Sequence, residues 1–358
     1  MLRNFLCYTA IAVSVSACAT KPVEVVDTTP LNTTATSEKL IVNNGIKGFF
    51  PSEITERNFF RADMHREESN FKGTGTYSSY LIGSKSSTKI WRIDRNLLWS
   101  MNPDKTEYTE CPLKGCPLPP AAPAKNTEAP PEAQHESGCT MSIAKSNFTV
   151  KATGEKKTIN GFDTEQYQAA WIVNLRDKTA RTSTSTLNFD VWTTPVTQAM
   201  RETLNIQESY AKAYYGATTD GSTQILPAEA AKMIIAYINN SLSPSARGSF
   251  LDVAKQMGKI KGYPIYTRLT WNMDGNACAS KETKAKDDAS SKTSIPTSVG
   301  GLVSGLSGMF VQKKTDDAMK ESEGEPLLSF IMEVKSLKTE PVHDSVFTVP
   351  SNYHLVIP

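Results

Sequence analysis

The chain has 358 residues, 39% hydrophobic and 21% charged, with a formal charge of +2. That balance suits one large folded domain or two small ones and excludes a disordered polyelectrolyte. It also argues against a nucleic-acid partner, since the basic runs Lys156-Lys157 and Lys313-Lys314 are too short to form more than solvated faces.

In chain order the first signal is one of export. Arg3 gives a positive start, and residues 5–15 form an apolar run of about eleven residues, too short to span a bilayer. The run ends in Val15-Ser16-Ala17-Cys18, which resembles the lipobox of bacterial lipoproteins. The resemblance implies that residues 1–17 are a signal peptide and that Cys18 is acylated as the mature N-terminus. Cys7 does not fit that pattern. Several acyl chains anchor stably where one alone is marginal. Ala19 is similar to the residue at this place in lipoproteins sorted to the outer membrane, so the expected location is the periplasmic face of that membrane. Residues 18–39, rich in Thr, Pro, Val and Ser, read as a flexible tether before a single domain over 40–358.

Short strands are expected next, at 76–82, 88–94, 97–101 and 106–110, separated by turn residues as in an antiparallel meander. Residues 117–138 are rich in Pro, Ala and Glu and cannot build a core. Strands resume at 141–152, 166–175 and 182–193, with the alternation of a half-buried sheet. Helical periodicity follows over 197–215, 227–242 and 245–257; in the second, Ala231, Ile234, Ile235 and Ile238 share one stripe. A second irregular insertion covers 276–325, and a strand at 327–337 precedes the closing phrase. Helices grouped between two runs of strands predict an α+β fold with an antiparallel sheet.

One phrase occurs twice. "KTINGF" (157–162) and "KIKGY" (259–263) both put a glycine and an aromatic residue at the start of a strand. Two glycines that let a curved sheet bend, each covered by the next ring, would account for Gly161-Phe162 and Gly262-Tyr263. These phrases, with Val191-Trp192-Thr193-Thr194 and the ending Val346-Phe347-Thr348-Val349-Pro350-Ser351-Asn352-Tyr353, resemble uncharacterised bacterial lipoproteins near the lipoprotein carriers LolA and LolB. The resemblance covers about 70–111, 140–275 and 327–356. It implies a strongly curved antiparallel half-barrel, helices that plug its mouth and an apolar cavity for acyl chains. No carrier residue that grips lipid maps onto a defined position, and the two insertions match nothing in the carriers.

The strand aromatics Tyr80, Trp91, Trp99, Trp171, Phe189, Trp192, Tyr266 and Trp271 are the candidates to line such a cavity, or else belong to an ordinary β core. Catalytic signals are few. His65 and Glu68 give H-x-x-E without a second His and read as a surface pair; His135, His343 and His354 lie in loop and tail. Ser86-Ser87-Thr88-Lys89 and Ser142-Ile143-Ala144-Lys145 match S-x-x-K but fall outside helices, with no K-T-G elsewhere. No nucleotide, metal or cofactor motif occurs. Beyond Cys18, Cys111, Cys116, Cys139 and Cys278 allow three disulfide connectivities. The Pro- and Gly-containing loop favours Cys111–Cys116, which leaves Cys139–Cys278 as a long-range pair. The Gly-rich apolar stretch 295–311, flanked by Lys292, Lys313 and Lys314, reads either as a lid that touches membrane or as a passive linker. Together these features predict a non-enzymatic lipoprotein that binds or shuttles a lipid or acyl ligand. The alternative is a structural or interaction component of the envelope whose barrel its own side chains fill.

Overall fold

The computed structural model describes residues 27–46, 48, 50–116, 141–215, 256–275, 277 and 326–357. Cys18, His135, Cys139, Cys278, the expected helix at 227–242, most of that at 245–257, and the stretch 295–311 lie outside the described residues.

Twelve strands form one sheet: β1 (Leu31–Ile46), β2 (Ser52–Arg61), β3 (Met64–Gly73), β4 (Ser84–Arg92), β5 (Leu97–Asn102), β6 (Glu107–Pro112), β7 (Met141–Ile159), β8 (Phe162–Asp177), β9 (Thr182–Thr194), β10 (Tyr263–Gly275), β11 (Leu328–His343) and β12 (His354–Leu355). Their order across the sheet is β12-β6-β5-β4-β3-β2-β1-β11-β10-β9-β8-β7. Every pairing is antiparallel except that of β12 with β6. Two meanders, β1–β6 and β7–β11, therefore meet at a single seam between β1 and β11. The sheet stays open, with β7 at one edge and β12 at the other.

Among the described residues two α-helices join it. α1 (Thr76–Leu81) is a short turn of helix where a strand was expected. α2 (Gln198–Tyr215) begins at Thr197, whose Oγ1 accepts from the Met200 amide at 3.3 Å. Its stripe Met200, Thr203, Leu204 and Tyr210 has helical spacing and packs on β1, β2 and β11. The α+β expectation thus holds in outline, as a large antiparallel sheet with few helices.

The expected boundary between tether and domain at 39/40 does not hold, because the chain enters the sheet at Leu31 and residues 31–39 belong to β1. Thr34, Ala35, Thr36 and Ser37 are buried one after another. Both sheet faces are covered there, so small residues suit both sides and no alternation shows.

The doubled phrase has two separate causes. Asn160 and Gly161 form the two-residue loop of the β7–β8 hairpin, both with positive φ (50° and 83°), the geometry of a primed turn. Gly262 precedes β10 with φ 88°, and a Cβ there would lie 2.6 Å from the Thr194 carbonyl oxygen. Neither glycine bends a strand. Both aromatics nevertheless reach one place, since Phe162 and Tyr263 pack with Ile265, Val334, Leu337 and Met200 under α2. The hairpin tip turns in to get there. Pairing of β10 with β11 stops at Tyr266–Glu333, next to the β10 bulge at Pro264, which has no N–H to give. Asn160 Nδ2 takes up the released Val334 carbonyl at 2.8 Å and the Glu333 carboxylate at 2.8 Å. The sheet is curled enough at this end to bring an edge hairpin onto β11.

The closing phrase is a strap across the other meander. Val349 and Tyr353 dock beside Ile90, Trp99 and Met101, Phe347 is fully buried, and Pro350 turns the chain by accepting from the Tyr353 amide. Arginines from three neighbouring strands hold it and the strand end before it: Arg61 on the Val342 carbonyl at the end of β11, Arg66 on Val346 and Arg92 on Phe347, at 2.9–3.1 Å. Arg61 also binds Asp344 at 2.6 Å and lies over the Phe347 ring.

Candidate functional site

The most extended apolar surface is one face of β7–β11. Register places Phe148, Trp171, Leu187, Trp271 and Leu328 in one row across all five strands, every one buried. The next row is Val150, Ala169, Phe189, Leu269 and Phe330, and the third is Ala152, Tyr167, Val191, Thr267 and Met332. Strand alternation puts these residues on a common side because each row is two residues from the last. The indole N–H groups are spent within the sheet: Trp171 Nε1 donates to Ser146 Oγ and Trp271 Nε1 to Ser185 Oγ, both at 2.9 Å. The rings therefore present carbon rather than donors. α2 covers β1, β2 and β11, and the described residues packed on the rest of this face include Met257, Ile260, Ala277 and Leu327.

On the same side of β2–β4 the surface changes character. His65 stacks between Phe60 (centroids 4.0 Å apart) and Trp91 (4.7 Å), with Tyr210 of α2 edge-on at 5.3 Å. Its Nε2 lies 2.9 Å from Asn58 Oδ1. Burial, with Lys39 adding to it, pushes the imidazole down from 6.5 to about 3, so the ring is neutral at physiological pH. The surface pair expected of His65 and Glu68 does not form. His65 is only 9% exposed and points away from Glu68, which is three positions on and binds Arg66 on the other face.

The eight sequence candidates divide. Trp171, Phe189 and Trp271 share the apolar face. Trp91 is on that side of the sheet but in the histidine stack. Trp99 lies under the C-terminal strap, and Trp192 and Tyr266 lie on the opposite face, where Lys157 Nζ sits 3.9 Å from the Trp192 ring centroid. They cannot line the same recess, because their positions differ by one in strand parity. Tyr80 is 89% exposed on α1 and lines nothing. Both S-x-x-K matches fall on strands, β4 and β7.

Asp27, His343 and Ser345 gather where the chain enters the sheet, but not as a hydrolytic triad. Ser345 Oγ donates to Asp27, and His343 Nδ1 donates to the Thr29 carbonyl at 2.6 Å, so no base meets the hydroxyl. Hydrogen bonds from Ser345 and Thr29 lower the Asp27 carboxyl to about 2. Cys111, at the end of β6, is joined to Cys116 across a turn closed by the Gly115 amide on the Pro112 carbonyl, with Cα atoms 4.8 Å apart. Among the described residues no helix is long and apolar enough to cross a membrane.

Sequence reading missed the His65 stack, the arginine clasp and Thr267. Phe60 and Trp91 are 31 residues apart in number and meet only through strand register. The clasp had a weak signal, since Arg61 follows Phe59-Phe60 and Arg92 lies between Trp91 and Ile93, charges set among apolar strand residues. Thr267 carried no signal at all.

The fold defines a class: a single large open antiparallel sheet with a helix laid on one face. No family model, curated protein or solved structure matches the chain.

Proposed function

We propose that the protein is a lipoprotein of the outer membrane, anchored through Cys18 and facing the periplasm, that binds or shuttles a hydrophobic ligand without chemical conversion. In this reading the sheet is the curved half-barrel of a LolA/LolB-like carrier, and acyl chains lie against the face of β7–β11. The observation that carries the reading is the three-row apolar face itself, which offers an area of carbon with its indole donors already occupied. Such a surface suits a hydrocarbon chain better than a polar metabolite.

The rings supply the test. Trp171 and Trp271 are energy donors for a pyrene-tagged acyl ester bound on this face. Titration of the full-length chain should give saturable quenching at one probe per chain, and Trp171→Phe with Trp271→Phe should remove most of the transfer while leaving the stoichiometry intact. Absence of saturable quenching overturns the reading. The anchor is tested separately: Cys18→Ser should abolish acyl labelling and release the protein from the membrane fraction.

A second reading has its own observation. Trp171, Trp271 and Phe330 are already buried by the chain, at 5%, 6% and 2% exposure. A face filled by its own side chains would make the protein a structural or interaction component of the envelope, and the same titration would then show no saturation.

A further inference from the structure

One fully buried position in the apolar face does not fit a carbon surface. Thr267 stands in the third row, between Val191 of β9 and Met332 of β11, with Ile265 and Leu269 two residues away on its own strand. It is 1% exposed, and its Oγ1 has no hydrogen-bond partner. Val191, Ile265 and Leu269 cannot accept a proton, and the Met332 thioether is a weak acceptor. A buried hydroxyl without a partner is unfavourable and uncommon, because it gives up water and gains nothing in exchange. Valine would fill the same space and would suit a strand as well. In the two rows beside it, every position is a hydrocarbon, an aromatic ring or an indole whose N–H is occupied. Tyr167, in the same row, is only half-buried, and Ser146 and Ser185 beyond the first row are engaged by the indoles, so Thr267 is the buried hydroxyl of this face that has no partner.

We infer that Thr267 is the polar handle of the ligand site, its hydroxyl donating to the carbonyl oxygen of a fatty acyl ester, amide or acid whose chain lies over Phe189, Leu269 and Trp271. The inference rests on the apolar-face reading above and narrows it, from any hydrophobe to one with a carbonyl at the head of its chain. The handle also orients the ligand. With the carbonyl at β10, the chain has three strand spacings, about 14 Å, of apolar face between Thr267 and β7.

The test compares two pyrene-tagged probes of equal chain length, a methyl ester and the corresponding alkane, against the full-length chain. The wild type should bind the ester about tenfold more tightly, the worth of one well-made hydrogen bond. Thr267→Val should lose that preference while holding the alkane unchanged, and its unliganded form should melt no lower than the wild type. Thr267→Ser should keep the preference. Equal binding of ester and alkane by the wild type, or an undiminished preference in Thr267→Val, overturns the handle while leaving the apolar site in place. If neither probe saturates the wild type, the ligand reading fails, and the handle with it.

Discussion

The two meanders are built from the same antiparallel hairpins but are stabilised differently. In β7–β11 one face is a broad apolar core, and the other carries charged side chains such as the exposed Arg268 and the half-buried Asp190 and Glu333. In β1–β6 both faces are occupied: the His65 stack and α2 lie on one, and the arginine-held strap lies on the other. The first half depends on area, which is tolerant of detail. The second depends on particular polar partners, which are costly to lose once buried.

Removing a large ring from the apolar half should be the heaviest single blow. Phe330→Ala is expected to cost about 3–5 kcal/mol, read as a lower denaturant midpoint. If it costs under about 1 kcal/mol, the face is loosely packed and the contrast between the halves disappears.

Acid should find the other half first. His65 has its pKa lowered in the fold, so the unfolded chain binds the extra proton and stability falls as pH drops from 6.5 toward 3. At pH 4 the loss should be on the order of 3 kcal/mol, and His65→Phe should remove it. The carboxylates Asp27, Asp94, Glu333, Glu340 and Asp344 are held below their usual values and lose their contributions at lower pH. The window between about pH 4 and 6.5 therefore belongs to the histidine stack. A stability curve in that window that is the same for wild type and His65→Phe would remove this distinction.

The strap should yield before the sheet does. Arg61→Met keeps the packed stem but loses the bonds to Thr34, Val342 and Asp344, at a cost of about 2 kcal/mol. Hydrogen exchange should rise in 344–353 while β8 and β9 stay protected. Uniform loss of protection would mean that the two halves unfold as one.

The smallest effect separates the two members of the doubled phrase. Gly161→Ala meets no atom within 4 Å and should cost about 1 kcal/mol, for its positive φ alone. Gly262→Ala adds a collision with the Thr194 carbonyl and should cost about 1–2 kcal/mol more. Equal costs would show that the close approach relaxes.

What was legible in the sequence follows the same division. In β8, Ala169, Trp171, Val173 and Leu175 are buried on alternate positions, and a strand with one wet face announces itself by that period. The strands β4–β6, β7–β11 and the helix α2 were all readable on such grounds, as was the Cys111–Cys116 pair from its short loop. β1 was not. Its run Thr34-Ala35-Thr36-Ser37 has the composition of a stalk, and only the cover from α2 and the strap, far away in the chain, makes it core. β2 and β3 were hidden for a related reason, since charged residues such as Arg61 and Arg66 point toward the strap rather than into water. Of the ligand-lining candidates, residue type found the rings but strand parity sorted them. Phe189 and Trp192 on β9, and Tyr266 and Trp271 on β10, differ in parity, but which parity faces the core is set by pairing between strands far apart in sequence. The closing phrase stood out as a motif, yet its meaning, three arginines gripping carbonyls, lies in residues more than 250 positions upstream.

The seam between β1 and β11 has a consequence for the order of synthesis. Thr36 bonds to the carbonyl of Lys338, 302 positions later. Each meander can zip up from neighbours as it emerges, but β1 keeps one bare edge until nearly the last strand has been made. That edge includes Leu40, Ile41 and Val42, an apolar run of high strand propensity. During translation the growing chain thus carries an open template for pairing with another copy until β11 arrives to close it.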